Sequence, residues 1–400
     1  MNFNEAFEKY RASSASEEEI RFVEAEIEKN RLIGDYLEEQ SGFALPETLP
    51  PMQENGDWKR IRRAVKRRSI VLVSSSVAIL LALLLAFQFV GRPLLNKLYY
   101  DPTIHSYNEF VGDFELSLAV YTSLHLPGLY QLNSFTKNTG IGKYSFSLPR
   151  YDMLSGSEKI LSGSITRGKL SLPQEFWQGY PYANSFSYGD PYVHPPSEET
   201  LHSMLGYLKT LPDYLHAEVH ISFDRDLTAL ELAELLQKYP DTGFVWLAVR
   251  AVEPEHQLRP AIGLKPNGST AIVLDKINES YPNFQIFDAL EEVTDASDLA
   301  ALYESHFQAL LKFQLDHPDI ARAPERAQTR INEESALEQH QRYYQGISQY
   351  IKENGLNSYG VVVVGSCAEI VKLAEENPFI CEIQLRKLAL DTSPPEDPAA

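Results

Sequence analysis

Four histidines lie close together in the chain and are the first candidates for metal binding: His194, His202, His216 and His220. A metal site needs three or four ligands that converge in space. These four are spread over a predicted loop, helix and strand, and that spacing does not bring them to one point. Surface or helix-capping histidines are the favoured interpretation, so the sequence predicts no metal site and no cofactor.

Nucleophiles and phosphate-binding loops are no better represented. Cys367 begins a predicted helix, where the pKa of a thiol can fall, but no histidine lies near it in the sequence. Gly360 and Gly365 have the spacing of a phosphate-binding loop, but the lysine that such a loop needs is missing before Ser366. The sequence also lacks Gly-x-Ser-x-Gly and His-Glu-x-x-His motifs. We therefore predict that the protein is not an enzyme.

The two cysteines, Cys367 and Cys381, do not form a disulfide framework. They can form one bridge if this part of the chain lies outside the cell. Two small buried thiols are the favoured interpretation, because free cysteine is commonly a core residue.

Residues 176–196 contain seven aromatic side chains among turn-forming residues. Such a loop can bind a ligand, and the side chains best placed for this are Trp177, Tyr180, Tyr182, Tyr188 and Tyr192. Packing of the loop on its own sheet is the commoner outcome, and both interpretations stay open.

Charge is strongly segregated along the chain, whose formal net charge is −19. Residues 1–58 carry 14 acidic and 5 basic side chains. Residues 59–68, here called the basic run, carry only basic ones: Lys59, Arg60, Arg62, Arg63, Lys66, Arg67 and Arg68. The acidic balance argues against nucleic acid as a direct partner. A nucleic-acid patch in the basic run is disfavoured because an apolar segment follows at once, and contact with lipid headgroups is favoured.

Residues 69–90 form an uncharged segment of 22 residues. At about 1.5 Å per residue, a helix of this length matches a hydrocarbon core of about 30 Å. The alternative, a buried helix of a soluble core, is disfavoured by this length and by the basic run. The positive-inside rule places the N-terminus in the cytoplasm and the C-terminal domain outside the cell membrane.

The acidic tail has the pattern of two helices. Ser16 and Glu19 form a predicted capping box before the second helix. Apolar residues then recur at helical spacing, and we predict that they bind a protein partner, together with aromatic residues of a short first helix. The predicted binding residues are Phe3, Phe7, Ile20, Val23, Ile27, Ile33 and Leu37. Pairing of the two helices with each other, or dimerisation of the tail, remains an alternative.

We predict an α+β fold with six segments. These are a cytoplasmic acidic helical tail at 1–41, a linker and basic juxtamembrane segment at 42–68, the transmembrane helix at 69–90, an extracellular β-rich region at 91–205, an extracellular α/β domain at 206–391 and a disordered tail at 392–400.

In the β-rich region, residues 142–150 and 162–172 alternate as strands do, with a turn at Arg167 and Gly168. Helical patterns lie at 296–315 and 332–353. In the α/β domain a strand–helix–strand pattern occurs twice, at 218–252 and 360–390, and Ser366 and Glu369 form a predicted capping box before the helix of the second pattern. Two such units in one sheet predict a ferredoxin-like βαβ-βαβ domain, here with a helical insertion at 296–353.

Several segments resemble the sigma-factor regulator proteins of Gram-positive bacteria. The segments that carry the resemblance are 58–69 (WKRIRRAVKRRS) with the apolar stretch and 94–99, then 220–227, 235–240, 245–249, 360–365 and 376–380, and, in the tail, 7–10, 16–19 and 27–29. The order of these parts is a stronger signal than any single motif. The resemblance covers about 58–105 and 217–390, and also the tail.

This resemblance implies a membrane-anchored anti-sigma factor. Such a protein sequesters an extracytoplasmic-function sigma factor through its cytoplasmic tail and responds to envelope stress through its outer domain. Some members resemble partners of a second small membrane protein, so such a protein joins membrane lipid among the candidate partners. No cysteine precedes Cys367, which excludes the zinc-binding type of anti-sigma domain from the tail. The alternative function is a cell-surface receptor or envelope-assembly protein without sigma-factor regulation.

Overall fold

The computed structural model describes residues 2–41, 56–107, 109–131, 134–177, 186, 198–212, 214–253, 261–268, 276–323 and 333–390. The chain divides into two units, Met1–Leu84 and Leu85–Ala400. Helices and strands are mixed, as an α+β fold requires, and one long apolar helix lies near the N-terminus. Residues 42–55 of the linker and juxtamembrane segment predicted at 42–68, and the disordered tail predicted at 392–400, lie outside the described residues. The predicted segment boundaries stay predictions.

Two helices precede the apolar one, α1 at Phe3–Arg11 and α2 at Glu17–Ser41. The capping box that starts α2 is present. The Ser16 backbone amide donates to Glu19 Oε2 at 2.9 Å, and the Glu19 amide donates to Ser16 Oγ at 3.4 Å. These bonds satisfy amides that a helix N-terminus otherwise leaves without partners.

The apolar helix α3 spans Gly56–Ala86 and continues through a π-helical turn at Phe87–Gly91 into α4 at Arg92–Asn96. Residues Arg62–Asn96 are long and apolar enough to cross a membrane, and no part of the most apolar window is buried within the protein. Three serine hydroxyls on α3 donate to carbonyls of their own helix at 2.8–3.0 Å: Ser74, Ser75 and Ser76. Because these bonds satisfy the hydroxyls internally, the serines are compatible with an apolar environment.

The end of α4 is joined to the first sheet. Asn96 Oδ1 accepts a hydrogen bond of 2.8 Å from the backbone amide of Gly142, and Arg92 Nη2 donates to Asn138 Oδ1 at 3.0 Å. Gly142 has φ of +61°, and a Cβ at this position would lie 2.7 Å from the Tyr99 ring. Only glycine therefore fits the tight turn that contacts the end of the helix.

The first sheet is antiparallel and has the strand order β1-β3-β4-β5. Strand β2 also pairs with β3, on the same edge as β1 but at the opposite end of β3. Its strands are β1 Leu129–Gln131, β2 Phe135–Gly140, β3 Lys143–Asp152, β4 Glu158–Thr166 and β5 Lys169–Ser171. The turn predicted at Arg167 and Gly168 is present, and both residues have positive φ. The strands predicted at 142–150 and 162–172 correspond to β3 and to β4 with β5.

The second sheet has the order β10-β6-β9-β7-β8, and every neighbouring pair is antiparallel. Strand–helix–strand occurs twice in it, as predicted. The first set is β6 Leu215–Thr228, α7 Ala229–Lys238 and β7 Gly243–Val249, and the second is β9 Asn357–Ser366, α12 Cys367–Glu376 and β10 Ile380–Leu390. β8 is a short edge strand at Gly263–Leu264. In β9, Val361 and Val363 pack into one cluster and Val362 into another, so the strand is buried on both faces.

Five further helices complete the described fold: α6 Glu198–Leu208, α8 Ile277–Ser280, α9 Phe287–Glu292, α10 Ala296–Asp316 and α11 Glu333–Asn354. The helical patterns predicted at 296–315 and 332–353 are α10 and α11. Short 3-10 turns lie at Gln174–Trp177 and Asp319–Arg322.

One more helix, which the sequence did not predict, lies within the region predicted to be β-rich at 91–205. Helix α5 spans Asp113–His125, and nearly all of its residues are buried. Leu116, Val120 and Leu124 join the core of the second sheet, and Phe114, Leu118 and Tyr121 join the core of the first. A helix buried on all sides lacks the amphipathic period that identifies surface helices, and this is why the sequence did not predict it.

Candidate functional site

The two N-terminal helices pack against each other as a hairpin. Ala6 of α1 and Val23 of α2 are buried, with exposed fractions of 1% and 0%. The Phe3 ring stacks on Phe7 at 5.6 Å between centroids and contacts Phe22 edge-on at 6.4 Å. The pairing of the two helices, which the sequence left as an alternative, is therefore present.

A single carboxylate ties this hairpin together. Lys9 Nζ donates to Glu19 Oε1 at 2.7 Å, while the other carboxylate oxygen of Glu19 accepts from Ser16. The hydrogen bond from Lys9, followed by the bond from the Ser16 amide, lowers the pKa of Glu19 to about 2. Glu19 thus joins α1 to the first turn of α2.

The second half of α2 has an apolar surface that α1 does not cover. A shallow groove on it is lined by Ala25, Glu28, Lys29, Leu32, Ile33 and Tyr36, and we call it the α2 groove. Its three large apolar side chains are about half exposed: Leu32 at 59%, Ile33 at 47% and Tyr36 at 59%. Isolated exposed apolar residues are ordinary, but a contiguous exposed stripe on one helix is typical of an interaction surface.

The predicted binding residues fall into three groups in the structure. Val23 is fully buried, and Phe3, Phe7 and Ile20 are half-buried in the hairpin. Ile27 and Ile33 are exposed, and Ile33 lines the α2 groove. The Leu37 side chain lies outside the described part of the chain. The predicted role of all seven residues in partner binding stays a prediction.

Leu32 and Tyr36 are the large apolar groove residues that the predicted binding set left out. Their signal was the spacing of four residues between them, because residues four apart lie on the same side of a helix. The stripe of Ile20, Val23 and Ile27 looked equally apolar in sequence. Only the packing of α1 over Val23 distinguishes the two stripes.

The basic run lies along the first turns of α3. The described side chains in it are all exposed: Arg60, Arg62, Arg63, Lys66, Arg67 and Arg68. The side chain of Lys59 is outside the described residues. Six exposed cations beside an uncharged helix can contact anionic headgroups.

Of the five side chains predicted to bind a ligand in the loop at 176–196, only Trp177 is described. The other four, Tyr180, Tyr182, Tyr188 and Tyr192, lie outside the described residues. The half-buried Trp177 ring packs edge-on against Phe176 at 4.9 Å and against Tyr121 at 6.3 Å. Trp177 therefore contacts the core of its own domain, and the ligand role of the loop stays a prediction.

The histidines predicted to be scattered do not converge where they are described. His202 is exposed, His216 is half-buried, His220 is buried, and His194 lies outside the described residues. Burial, followed by the charges of Arg386 and Lys387, lowers the pKa of His220 to about 3. In the described part of the chain, no three His, Cys, Asp or Glu side chains are grouped as metal ligands.

The two cysteines are free thiols. Cys367 Sγ donates to the carbonyl of Leu215 and Cys381 Sγ to that of Ser222, so they lie seven residues apart along β6. That separation is about 23 Å in an extended strand. A disulfide needs Cα atoms within about 7 Å, so the two thiols do not bridge each other in this fold.

Two comparisons with known proteins found sequences similar to this chain. Residues 208–386 match the family model described as sigma factor regulator C-terminal. The chain is also 24% identical, over 389 residues, to the Probable anti-sigma-M factor YhdL of Bacillus subtilis (strain 168), covering 93% of each chain. The resemblance to the sigma-factor regulator family is confirmed. No solved structure matches the chain.

The sigma factor regulator C-terminal match extends from the end of α6 into β10, and it contains all of β6, β7, β8 and β9 and the first part of β10. The N-terminal helices lie outside this match, but the similarity to the Bacillus relative spans nearly the full length. The matched family and the Bacillus relative are both described as regulators. The prediction that this chain is not an enzyme stays a prediction.

Proposed function

We propose that this chain is a single-pass, membrane-anchored anti-sigma factor that sequesters an extracytoplasmic-function sigma factor through α1 and α2. The observation that carries the proposal is the α2 groove, an uncovered apolar stripe on an acidic helix, in a chain similar to an anti-sigma factor. An amphipathic helix that lays such a stripe into a groove of its partner is a recurring mode of recognition.

The acidic charge of α2 indicates the charge of the surface that it contacts on the sigma factor. Within Glu17–Ser41 the sequence has nine acidic and three basic side chains. A basic rim around an apolar groove on the sigma factor complements this charge and accelerates encounter. The acidic flank therefore selects the partner, and the apolar anchors hold it.

Typical burial free energies indicate how much of the binding free energy the α2 groove supplies. Burying an apolar side chain completely stabilises a complex by about 1.5–3 kcal/mol, so three half-exposed anchors supply about 2–5 kcal/mol together. An affinity of about 1 nM corresponds to about −12 kcal/mol. The α2 groove is thus the central anchor, and further contacts along α1 and α2 must supply the remainder.

The membrane arrangement is part of the proposal. The basic run stays on the cytoplasmic side against lipid headgroups, and the part of the chain that follows the transmembrane helix at 69–90 lies outside the cell and responds to envelope conditions. The strand order β10-β6-β9-β7 supports a ferredoxin-like description of the outer α/β domain, with α10 and α11 as its helical insertion. A second small membrane protein is a candidate partner of this assembly.

The test is a two-hybrid assay of the full chain against each extracytoplasmic-function sigma factor of the source organism. We expect one of them to bind. Changing Leu32 and Ile33 together to Asp is expected to weaken that binding more than about tenfold, because each change places a charge in the apolar contact. Asn30→Asp is the matched control, since it adds a charge to the same exposed helix at a residue that does not line the groove.

Binding of no sigma factor, or equal loss in the control, contradicts the proposal. A surface receptor without sigma-factor regulation predicts the first of these results. Val23→Asp is a poor probe of contact, because Val23 is buried in the hairpin and the change would separate α1 from α2.

A further inference from the structure

Two turns of the first sheet lie against the residues that directly follow the apolar helix. A Cβ on Gly142, in the turn between β2 and β3, would lie 2.7 Å from the Tyr99 ring. A Cβ on Gly168, in the turn between β4 and β5, would lie 3.8 Å from Tyr100 Cβ. The Arg167 amide also donates to the Gly142 carbonyl at 2.6 Å, so the two turns contact each other. We call residues 140–143 and 166–169 together the helix-proximal end of the sheet.

Hydrogen bonds fix this helix-proximal end to the last turn of the helix. The Gly142 amide donates to Asn96 Oδ1 at 2.8 Å. The Tyr100 hydroxyl donates to the buried Asp319 carboxylate, and the Arg322 guanidinium lies 4.3 Å from the centre of the Tyr100 ring. Because both the turn and the chain that leaves α4 are held in this way, the helix-proximal end stays close to Asn96.

The first sheet is basic, whereas the larger part of the chain that follows it is acidic. Residues 135–171 carry six basic and two acidic side chains, and residues 172–400 carry 16 basic and 35 acidic ones. Beside the end of the helix, the Asp101 carboxylate is occupied by hydrogen bonds of 3.0 and 2.6 Å from Thr103. A basic surface on an acidic chain attracts anionic partners that the rest of the molecule repels.

Several cations meet at the helix-proximal end. Lys143 and Lys169 lie on the same face of the sheet, because both are opposite Thr166 in the strand register. Arg167 lies in the turn itself, and Lys97 directly follows α4. All four of these basic side chains are exposed. They form one cationic surface around the point where the chain leaves the helix.

The proposed transmembrane segment sets the level of these cations relative to a bilayer. It ends at residue 90, and the helix continues to Asn96 through a further six residues, or about 9 Å. The headgroup layer on one side of a bilayer is about 5–8 Å thick. The helix-proximal end, held at Asn96, is therefore at the solvent edge of the headgroups, where long lysine and arginine side chains can reach the phosphates.

We propose that Lys97, Lys143, Arg167 and Lys169 bind the phosphate groups of anionic lipids and so hold the first sheet against the membrane. Lysine and arginine close to an anionic leaflet are attracted to it, and arginine pairs with phosphate through two donors. Leu98, which is 75% exposed beside Lys97, adds an apolar contact with the same layer. The inference rests on the proposed membrane arrangement of the chain but not on sigma-factor binding by α2.

The test uses the full chain in lipid nanodiscs, which leave both faces of the bilayer open to solvent. One set of discs contains phosphatidylcholine alone, and the other also contains phosphatidylglycerol. A water-soluble acetylating reagent is applied briefly, and mass spectrometry measures the labelling rate of each lysine. We expect Lys97, Lys143 and Lys169 to react about fivefold more slowly in the anionic discs, because a headgroup phosphate covers each amine.

Lys159 is the matched control for labelling. It is exposed on β4, seven residues before Thr166, which is about 23 Å along an extended strand. That distance exceeds the Debye length of about 10 Å, so Lys159 should react at the same rate in both kinds of disc. Lys66 of the basic run is the positive reference, and its labelling should be slower in the anionic discs whenever the helix enters the bilayer.

Substitutions at exposed lysines leave the fold intact and give a second measurement. In the unaltered chain, anionic discs should raise the unfolding temperature of the outer unit, since lipid bound to the folded state stabilises it. Replacing Lys143 and Lys169 together with Gln should abolish most of this rise, whereas Lys159→Gln should leave it unchanged. High salt should also remove the rise, because it screens contacts between exposed charges.

Equal labelling of Lys143 in both kinds of disc, with Lys66 slowed in the anionic ones, would overturn this proposal and leave the membrane arrangement standing. Failure of the chain to enter discs of either kind would overturn both. Protection of Lys143 that is as strong in detergent without lipid, and that grows with protein concentration, would identify a second copy of the chain as the occupant and would also overturn the proposal.

Discussion

At the scale of single residues, Lys387 joins elements that are distant in sequence. Its Nζ lies 2.8 Å from Asp152 of β3 and 3.1 Å from Glu218 of β6, and thereby connects the two sheets. Gly128 allows this arrangement. Its φ is +70°, and a Cβ there would lie 2.6 Å from Glu218 Oε2. A backbone without a side chain is therefore required beside the buried carboxylate.

Removing the lysine should leave Glu218 as a buried charge without its partner. We expect Lys387→Met to reduce the free energy of unfolding at pH 7 by about 1–3 kcal/mol, whereas Lys387→Arg should retain most of the stability. Burial already raises the pKa of Glu218, so its folded pKa lies above its unfolded value. A carboxyl group with a raised folded pKa reduces the stability of the fold as the pH rises through its unfolded and folded pKa values. The loss of stability caused by Lys387→Met should therefore become smaller as the pH falls toward 4 and Glu218 is protonated.

Chemical denaturation of the full chain at pH 7 and pH 4.5 measures this difference. A defect of equal size at both pH values would show that Lys387 acts through Asp152 or through packing of its aliphatic stem, and not through Glu218.

At the scale of elements, the two halves of α2 differ in what covers them. The first half is covered by α1 and is tied to it through Glu19, and the second half carries the exposed α2 groove. The capping box is the local signal that starts this helix at the correct residue. It holds the first turn in place, and α1 depends on that turn for its contact with Glu19.

Ser16→Ala removes the side-chain oxygen that accepts from the Glu19 amide. Loss of an N-cap typically costs about 1 kcal/mol, so amides in the first turn of α2 should exchange about fivefold faster. Ser14→Ala is the matched control, because the Ser14 hydroxyl donates to the Lys9 carbonyl near the end of α1 and is not part of the capping box of α2. Hydrogen exchange measured by mass spectrometry on the full chain resolves these segments. Equal acceleration in both variants would show that the cap contributes nothing specific.

At the scale of the whole molecule, a helix fit to cross a membrane extends from Arg62 to Asn96, and the chain divides into two units within it, at Leu84. The basic side chains lie almost entirely at its N-terminal end. Positive charge on one flank sets the orientation of a single span, and this supports a cytoplasmic N-terminus.

Reporter fusions check this orientation. Alkaline phosphatase, which is active only outside the cytoplasm, should be active when fused after Ala400 and inactive when fused before Met1. Replacing Arg62, Arg63, Arg67 and Arg68 with Gln should reduce the difference between the two fusions, because the charge asymmetry is reduced. Equal activity of the two fusions on the unaltered chain would contradict the proposed arrangement and the regulatory function that depends on it.

The sequence by itself determined the features that depend on local interactions. The capping boxes at Ser16 and Ser366, the turn at Arg167 and Gly168, the apolar helix and the two strand–helix–strand patterns each depend on residues a few positions apart. The tertiary structure alone decided that α5 lies buried between two sheets, that α1 covers Val23 but leaves Leu32 exposed, and that Lys387 of β10 meets Asp152 of β3 and Glu218 of β6. These features depend on contacts between residues far apart in the chain, and burial by a distant element leaves no periodic pattern in the sequence of either partner.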